Sequence, residues 1–397
     1  MKKKLLFLTP QLPYPPVSGG VIKSWKLIEF LSEKYEVYLA SFLKNNDQEH
    51  LEEFHAKISL FGSFYIPLNI PRTPFNLIKS NLQAIPLNLY RNKCSKFKGG
   101  IQNALMFADI IFVDHYEMYQ YVPKDYLGKK VLHQHNCEYL MWDRFAALEK
   151  NAIKKLALTN QAFWIKRYEK KICKHADIVL AAPNDEEELI KIGANPKKFR
   201  ETFHLGDESL LDLPELQFLK TENSIFYCGT LTWEANVDGL IWFINSGWEP
   251  LKEKYPDLKF YITGKDPDNR IVNAIKENQA KGIELTGFVD NLDIYFQKSK
   301  VFISPLRFGS GIKVKVMNAL YRGIPTVTTS VGAEGLAVKS GDQIFISDNM
   351  ADFIHQISLL IEDELLWNQF KLNSRALAKE KYTWDNVLKI VENAIEE

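Results

Sequence analysis

Cysteine in a useful arrangement is the first thing this chain lacks. Its four cysteines, Cys94, Cys137, Cys173 and Cys228, are scattered and show no C-x-x-C spacing. That excludes a cysteine zinc site and a disulfide framework, and it fits a reducing cytoplasm. Net charge is missing too: 50 Lys and Arg against 49 Asp and Glu leave +1. No global field therefore draws the chain to nucleic acid, although a small phosphate-bearing ligand stays open. Met1-Lys-Lys-Lys and Leu5-Leu-Phe-Leu-Thr resemble the start of a leader, but Pro10, Pro13, Pro15 and Pro16 interrupt it. Neither a signal peptide nor a membrane span is completed there, and the segment reads as a first buried strand. Nucleotide-binding fingerprints are incomplete as well. No Gly-Lys-Ser/Thr occurs near Gly309, and the third glycine of G-x-G-x-x-G is absent, which disfavours a P-loop or a dinucleotide site.

What is present suits two domains of about 200 residues each. The organising stretch runs from Lys300 to Leu336. Val301 to Ser304 has the length and content of a buried strand, closed by Pro305. A loop to Gly311 follows; then Ile312, Val316, Ala319 and Leu320 recur at helical spacing up to Gly323 and Pro325. Thr326 to Val331 is expected as the next strand. Gly309 and Gly311 let backbone N–H groups approach an anion at a helix N-terminus, where the dipole favours negative charge. Lys313 and Lys315 add cations, and their spacing on a helix sends one to the anion and the other to the flank. The same pattern also describes a plain βαβ unit with a solvated basic face.

The strand–loop–helix order repeats along the chain. Leu5 to Thr9 and Tyr35 to Phe42 are expected strands, and a loop ending in Ser18-Gly19-Gly20 precedes a helical pattern at Ile22, Trp25, Ile28 and Leu31. Gly19 and Gly20 then stand at the carboxyl edge of the sheet, as a ligand loop or as a turn needing positive φ. Ala108 to Val113 leads into Asp114-His115-Tyr116-Glu117, and Lys129 to Leu132 leads into His133-Gln134-His135-Asn136-Cys137-Glu138. His133 and His135 point to one face if that strand continues, but no third metal ligand is evident nearby, so no metal site is assigned. Ala176 to Ala182 is expected as the last strand of the first domain. Strands at Ser224 to Cys228, Leu258 to Thr263 and Glu284 to Val289 restart the alternation, with a helix at Val237 to Phe243. From Phe54 to Ala108 there is no acidic residue, while Lys57, Arg72, Lys79, Arg91, Lys93, Lys96 and Lys98 alternate with apolar residues. A second basic run, Lys154-Lys155 and Lys166-Arg167 to Lys170-Lys171, lies in a long helical segment with Trp164 and Tyr168. These runs read either as a membrane-interface patch or as an ordinary solvated face.

Gly309-Ser-Gly-Ile-Lys-Val-Lys-Val-Met-Asn-Ala-Leu320, with Gly323-Ile-Pro-Thr-Val and Val331-Gly-Ala-Glu-Gly-Leu336, closely resembles the donor-binding segment of the retaining family-4, or group 1, glycosyltransferases. The resemblance implies an α/β protein of GT-B fold: two Rossmann-like, doubly wound domains facing across a cleft. It places an acceptor-binding domain at 1–205, a nucleotide-sugar-binding domain at 206–380, and a C-terminal helix at 381–397 that crosses back. Phe203-His204-Leu205-Gly206-Asp207 stands where the family has Pro-Asn-Gly-Val-Asp, and Glu208 to Glu222 makes the linker. The resemblance implies that Lys315, Lys313 and His135 serve catalysis, His135 approaching the donor sugar at the end of its strand. His-Asn-x-Glu followed by Trp142 and Arg144 is also like the family. Donor-binding positions by the same resemblance are Gly19, Gly20, Gly229, Gly264, Lys265, Val289, Arg307, Gly309, Ser310, Gly311 and Asn318.

Two departures stand out. The family commonly carries two glutamates with seven residues between them, the second on the ribose hydroxyls; here those positions are Ser310 and Asn318. A neutral hydrogen bond worth about 1 kcal/mol then replaces a charge-assisted one of about 1.5–3. The Arg and Lys expected after the first strand of the second domain are absent from Thr230 to Val237, leaving phosphate to Lys313, Lys315, the helix N-terminus, Arg307 and Lys265. The expected activity is a metal-independent, retaining transfer of a hexose from a UDP- or GDP-sugar to a glycan, lipid-linked or protein acceptor, with no cofactor and no nucleic acid. The expected setting is cell-surface polysaccharide or glycoconjugate synthesis, in the cytoplasm or at the inner face of its membrane. A catalytically silent GT-B binding or assembly partner and a sugar-nucleotide epimerase are the alternatives.

Overall fold

The structure is a computed structural model describing residues 2–16, 19–203, 205–309 and 311–397; Ser18, His204 and Ser310 lie outside the described residues. The chain divides into two compact units, Met1–His204 with Val387–Glu397, and Leu205–Asn386.

The first unit is built on a parallel sheet of β1 (Lys4–Thr9), β2 (Glu36–Leu43), β3 (Gly62–Pro67), β4 (Ile110–Asp114), β5 (Lys129–His133), β6 (Ile178–Ala181) and β7 (Phe199–Glu201). Their order is β3-β2-β1-β4-β5-β6-β7. In β1, Leu6 and Leu8 enter the core on one face while Leu5 and Phe7 enter the core on the other. This period of two, apolar on both sides, is what a sheet covered twice by helices demands. Phe7 is paired with Phe112 across the β1/β4 ladder, and the two rings stack at 5.1 Å. Of the last helix, Trp384–Glu396, the residues Val391, Ala394 and Ile395 are buried in the core that holds Leu5 and Phe7. Tyr35 donates to the Glu396 carboxylate at 2.7 Å, and Lys129 Nζ to the Ile395 carbonyl at 2.7 Å. Burial of Val391 and Ile395 contributes about 1.5–3 kcal/mol each.

The second unit's parallel sheet comprises β8 (Glu222–Cys228), β9 (Lys259–Thr263), β10 (Ile283–Gly287), β11 (Ser299–Ser304), β12 (Thr326–Thr328) and β13 (Phe345–Ile346). The order is β10-β9-β8-β11-β12-β13. Strand order reverses between β1 and β4 in one unit and between β8 and β11 in the other. In open α/β sheets the crevice beyond the carboxyl ends at such a reversal is where ligands bind.

Several expected boundaries move. The first sheet ends on β7, not on the strand at 176–182, and it gains β3 at its other edge. Thr326 to Val331 does not continue as a strand: β12 stops at Thr328, and Thr329 caps a short helix, Ser330–Ala333, by accepting from Gly332 N at 3.1 Å. β10 stops at Gly287, leaving Val289 in the loop beyond it. Gly19 and Gly20 open the helix Gly19–Lys34 rather than closing a loop, and Gly20 is not among the positive-φ glycines. Among the described residues no helix is long and apolar enough to cross a membrane.

Candidate active site

In the second unit the loops after β8, β9 and β11 meet at the carboxyl edge of the sheet. Gly264, after β9, lies so close to the β8 loop that a Cβ there would stand 2.1 Å from the Gly229 carbonyl and 2.6 Å from the Leu231 side chain. After β11, Gly309 at φ +143° and Gly311 at φ +72° take conformations that side-chain-bearing residues avoid. The helix Val314–Arg322 follows and ends on Gly323 at φ +76°. Val316 and Met317 N–H close its first turn on the Lys313 carbonyl, and the positive end of its dipole lies at the loop.

The helix begins after Lys313, contrary to the expectation that it starts at Ile312. Lys313 is its N-terminal flanking residue at φ −90°, ψ 96°, so the two lysines are not on one regular helix and the flank assignment fails. Lys313 is buried, its ammonium donating to the Gly311 carbonyl and lying 3.4 Å from the Glu334 carboxylate. Lys315 is half-buried as a residue, and its ammonium, desolvated by the surrounding protein, donates to Tyr227 Oη and to Asn236 Oδ1, both at 2.7 Å. A Cβ at Gly229 would stand 3.2 Å from that ammonium. Burial pulls the Lys315 amine down to about 7, against a weaker opposing pull from Cys228, and the Lys313 charge adds to the fall. Among the described residues no carboxylate pairs with the Lys315 ammonium, so the site holds a cation on neutral partners.

The remaining expected donor residues sort themselves. Arg307 is engaged with Asp238, its Nε donating at 2.8 Å, so it enters a phosphate site only by leaving that pair. Lys265 is exposed next to Gly264, and Val289 is half-buried just past β10. Asn318 is engaged with the chain itself. Its Oδ1 accepts from the Asp207 backbone N–H at 2.8 Å, and a Cβ at Gly206 would stand 1.9 Å from it. It holds the linker through one lone pair of that oxygen. Sequence reading missed Tyr227 and Asn236, whose positions at the end of β8 and in the next helix are informative only once β8 is known to lie beside β11.

In the first unit β1, β4 and β5 end side by side, and Asp114 becomes a hub. One carboxylate oxygen accepts from His133 Nδ1 at 2.8 Å and His135 Nε2 at 2.7 Å. The other accepts from Ser24 Oγ at 2.6 Å and Thr9 Oγ1 at 3.2 Å. Burial pushes the Asp114 carboxyl up, but His135, His115 and the histidine hydrogen bonds outweigh it and hold the group well below the usual carboxylate range. Burial, reinforced by His115 and His133, keeps His135 well below its ordinary value against the opposing pull of Asp114. His115, at φ +73°, stacks flat on His135 with ring centroids 3.6 Å apart. Gly20 lies against the same ring, 3.8 Å from Nδ1 to a Cβ placed there.

The structure thus supplies the further metal-ligating groups that the sequence did not reveal, since Asp114, His115 and His135 offer donor atoms within 4.8 Å of one another. Asp114 already accepts four hydrogen bonds, however, and two parallel stacked imidazoles cannot both aim a lone pair at one ion without turning. As built, the cluster is a hydrogen-bonded hub.

Residues 222–363 match the sequence model of the family described as glycosyl transferases group 1. A 44.6 kDa protein of the cps region of Klebsiella pneumoniae is 22% identical over 393 residues, covering 96% of each chain. Among solved structures, Anabaena Alr3699/HepE in complex with UDP superimposes with TM-score 0.67 at 13% identity over 100% of both chains. Sucrose-phosphate synthase from Thermosynechococcus elongatus gives 0.66 at 14% identity, over 100% of this chain and 98% of its own. By sequence, then, residues 222–363 carry the group 1 glycosyl transferase pattern, and by structure the two Rossmann-like units have the GT-B fold.

Proposed function

We propose that the protein is a retaining glycosyltransferase moving a hexose from a UDP- or GDP-sugar to a glycan, lipid-linked or protein acceptor in cell-surface polysaccharide or glycoconjugate synthesis. The observation that carries this reading lies within the segment that matches the family: Gly309 and Gly311 at positive φ with Lys313 against them, and the Lys315 ammonium held by Tyr227 and Asn236 beside Gly229. The relative from a cps region and the UDP complex of HepE support the polysaccharide and nucleotide parts. Departure of the nucleoside diphosphate is the hard step, and preorganised cations stabilise the charge it develops. Lys315 and Lys313 supply them, so no metal is called for. A phosphate oxygen of the leaving group takes the acceptor proton, and no carboxylate base is needed. A panel of donor sugars with anomeric analysis of the product tests the reading; nucleotide binding without turnover on any donor would favour the silent binding partner.

Two further results are expected. Diphosphate binding favours the charged form of Lys315, whose free-state value lies near 7. Below that pH the ammonium is present; above it the amine must take up a proton on binding. Nucleotide affinity therefore falls by up to about tenfold per unit as pH rises above 7, where a terminal phosphate with a second pKa near 6 is already ionised. Calorimetric titration from pH 6 to 9 reads this directly, and an unchanged profile would remove Lys315 from the phosphate. The second concerns Asn318→Glu, which would restore the family's carboxylate but sets it beside Asp207. Because Asn318 is tied to the linker, affinity for UDP and GDP should stay within about twofold while the melting temperature falls. A tenfold gain would assign this side chain to the ribose.

A further inference from the structure

Two neighbouring helices of the first unit carry apolar residues on the outside. In Pro74–Leu82, Phe75, Ile78 and Leu82 line one side and are 63%, 56% and 83% exposed. Ser80, on the opposite side, accepts from Gln161 Nε2 of the helix Ala152–His175 at 3.1 Å. The helix is therefore docked through its more polar side. Ala152–His175 is apolar on both sides, with Ile153, Leu156 and Phe163 exposed along one stripe and Ile165 and Ile172 buried on the other. Exposed apolar residues scattered singly are ordinary, but two exposed stripes on adjoining helices mark an interaction surface.

Charge around the stripes is predominantly basic. Lys79 lies over the Phe75 ring at 4.3 Å, and Lys93, Lys96 and Lys98 follow in a stretch with no acidic residue. On the longer helix Lys154, Lys155, Lys166, Arg167, Lys170 and Lys171 are exposed. Its one acidic residue, Glu169, is buried and accepts from the Glu138 and Tyr139 backbone N–H groups at 2.9 and 3.0 Å. The acids nearest the stripes, Glu149 and Asp143, belong to the preceding turn and helix, and Glu149 is paired with Lys154. We propose that this face seats the protein on an anionic phospholipid bilayer: the apolar side chains enter the headgroup boundary, and the lysines reach the phosphates beside them. Long lysine stems lie along apolar surface while their ammonium groups reach outward, and side chains standing out from convex helices suit a fluid boundary better than a shaped protein groove. The proposal does not depend on the transfer reaction.

Flotation with vesicles of equal parts phosphatidylglycerol and phosphatidylcholine, against pure phosphatidylcholine, tests it. Wild type should float with the anionic vesicles, weakly with neutral ones, and less at high salt. Lys79→Gln and Lys155→Gln should each lower partitioning about fivefold. The triple variant Phe75→Ser, Ile78→Ser, Leu82→Ser should lower it at least about tenfold with an unchanged melting temperature, since all three side chains are exposed. Wild type that ignores anionic vesicles, or variants that float as it does, would overturn the proposal. So would a triple variant that only converts a dimer to a monomer in sedimentation velocity, because the occupant would then be a second copy of the chain.

Discussion

Lys315→Ala lowers turnover by about two to three orders of magnitude while the protein stays folded, because one preorganised electrostatic group is typically worth that much to a charge-developing step. Stability should change little or improve. The native ammonium is desolvated with only neutral partners, Tyr227 and Asn236, and keeping it protonated works against folding below its folded value near 7. That penalty fades as pH rises from about 7 towards the unfolded value of the amine. Lys313→Ala should cost less turnover, since Glu334 already offsets part of its charge. Equal kinetics in wild type and both variants would dismiss the phosphate role.

Asp114→Ala has the largest expected effect on stability. It leaves His133, His135, Ser24 and Thr9 without their common acceptor at a fully buried position, and at about 1–3 kcal/mol for each buried donor left unsatisfied the loss comes to roughly 3–5 kcal/mol. In a unit of this size that is roughly 10 °C of melting temperature. Asp114→Asn keeps an acceptor oxygen and should lose much less. His135→Ala separates chemistry from scaffold: we expect transfer to fall while binding of the bare nucleoside diphosphate is nearly intact. A parallel loss of nucleotide affinity would assign His135 to structure alone. Differential scanning calorimetry of the Asp114 pair, read beside the His135 kinetics, distinguishes the hub's two contributions.

How much of this was legible in the sequence depended on whether the information was local. Apolar runs such as Leu5 to Thr9 and Val301 to Ser304 announced buried parallel strands because both faces need covering. β3 was silent, since Gly62–Pro67 is a half-exposed edge strand that ends on proline, and β7 is only three residues long. The glycine loop and its lysines were readable from spacing. Their geometry was not, because the helix boundary falls two residues after Ile312 and leaves Lys313 buried ahead of the first turn. The Asp114 hub was out of reach for a different reason. It exists because Asp114 lies in register with His133 across the β4/β5 ladder, with β1 on the other side, and strand order is a non-local fact. Asn318 shows another non-local fact: its contact with the linker at Asp207 spans more than a hundred residues of sequence and could not be read from the motif around it.

Calorimetric titration of UDP and GDP into wild type and Lys315→Ala, at pH 6.5 in buffer containing a chelator, addresses the central claim that a desolvated lysine, without a metal, holds the diphosphate. At least one nucleotide is expected to bind wild type without added metal, and the variant should bind it at least about tenfold more weakly, a difference of 1.4 kcal/mol. Wild type that binds neither nucleotide, or a variant that binds as tightly as wild type, would contradict that claim.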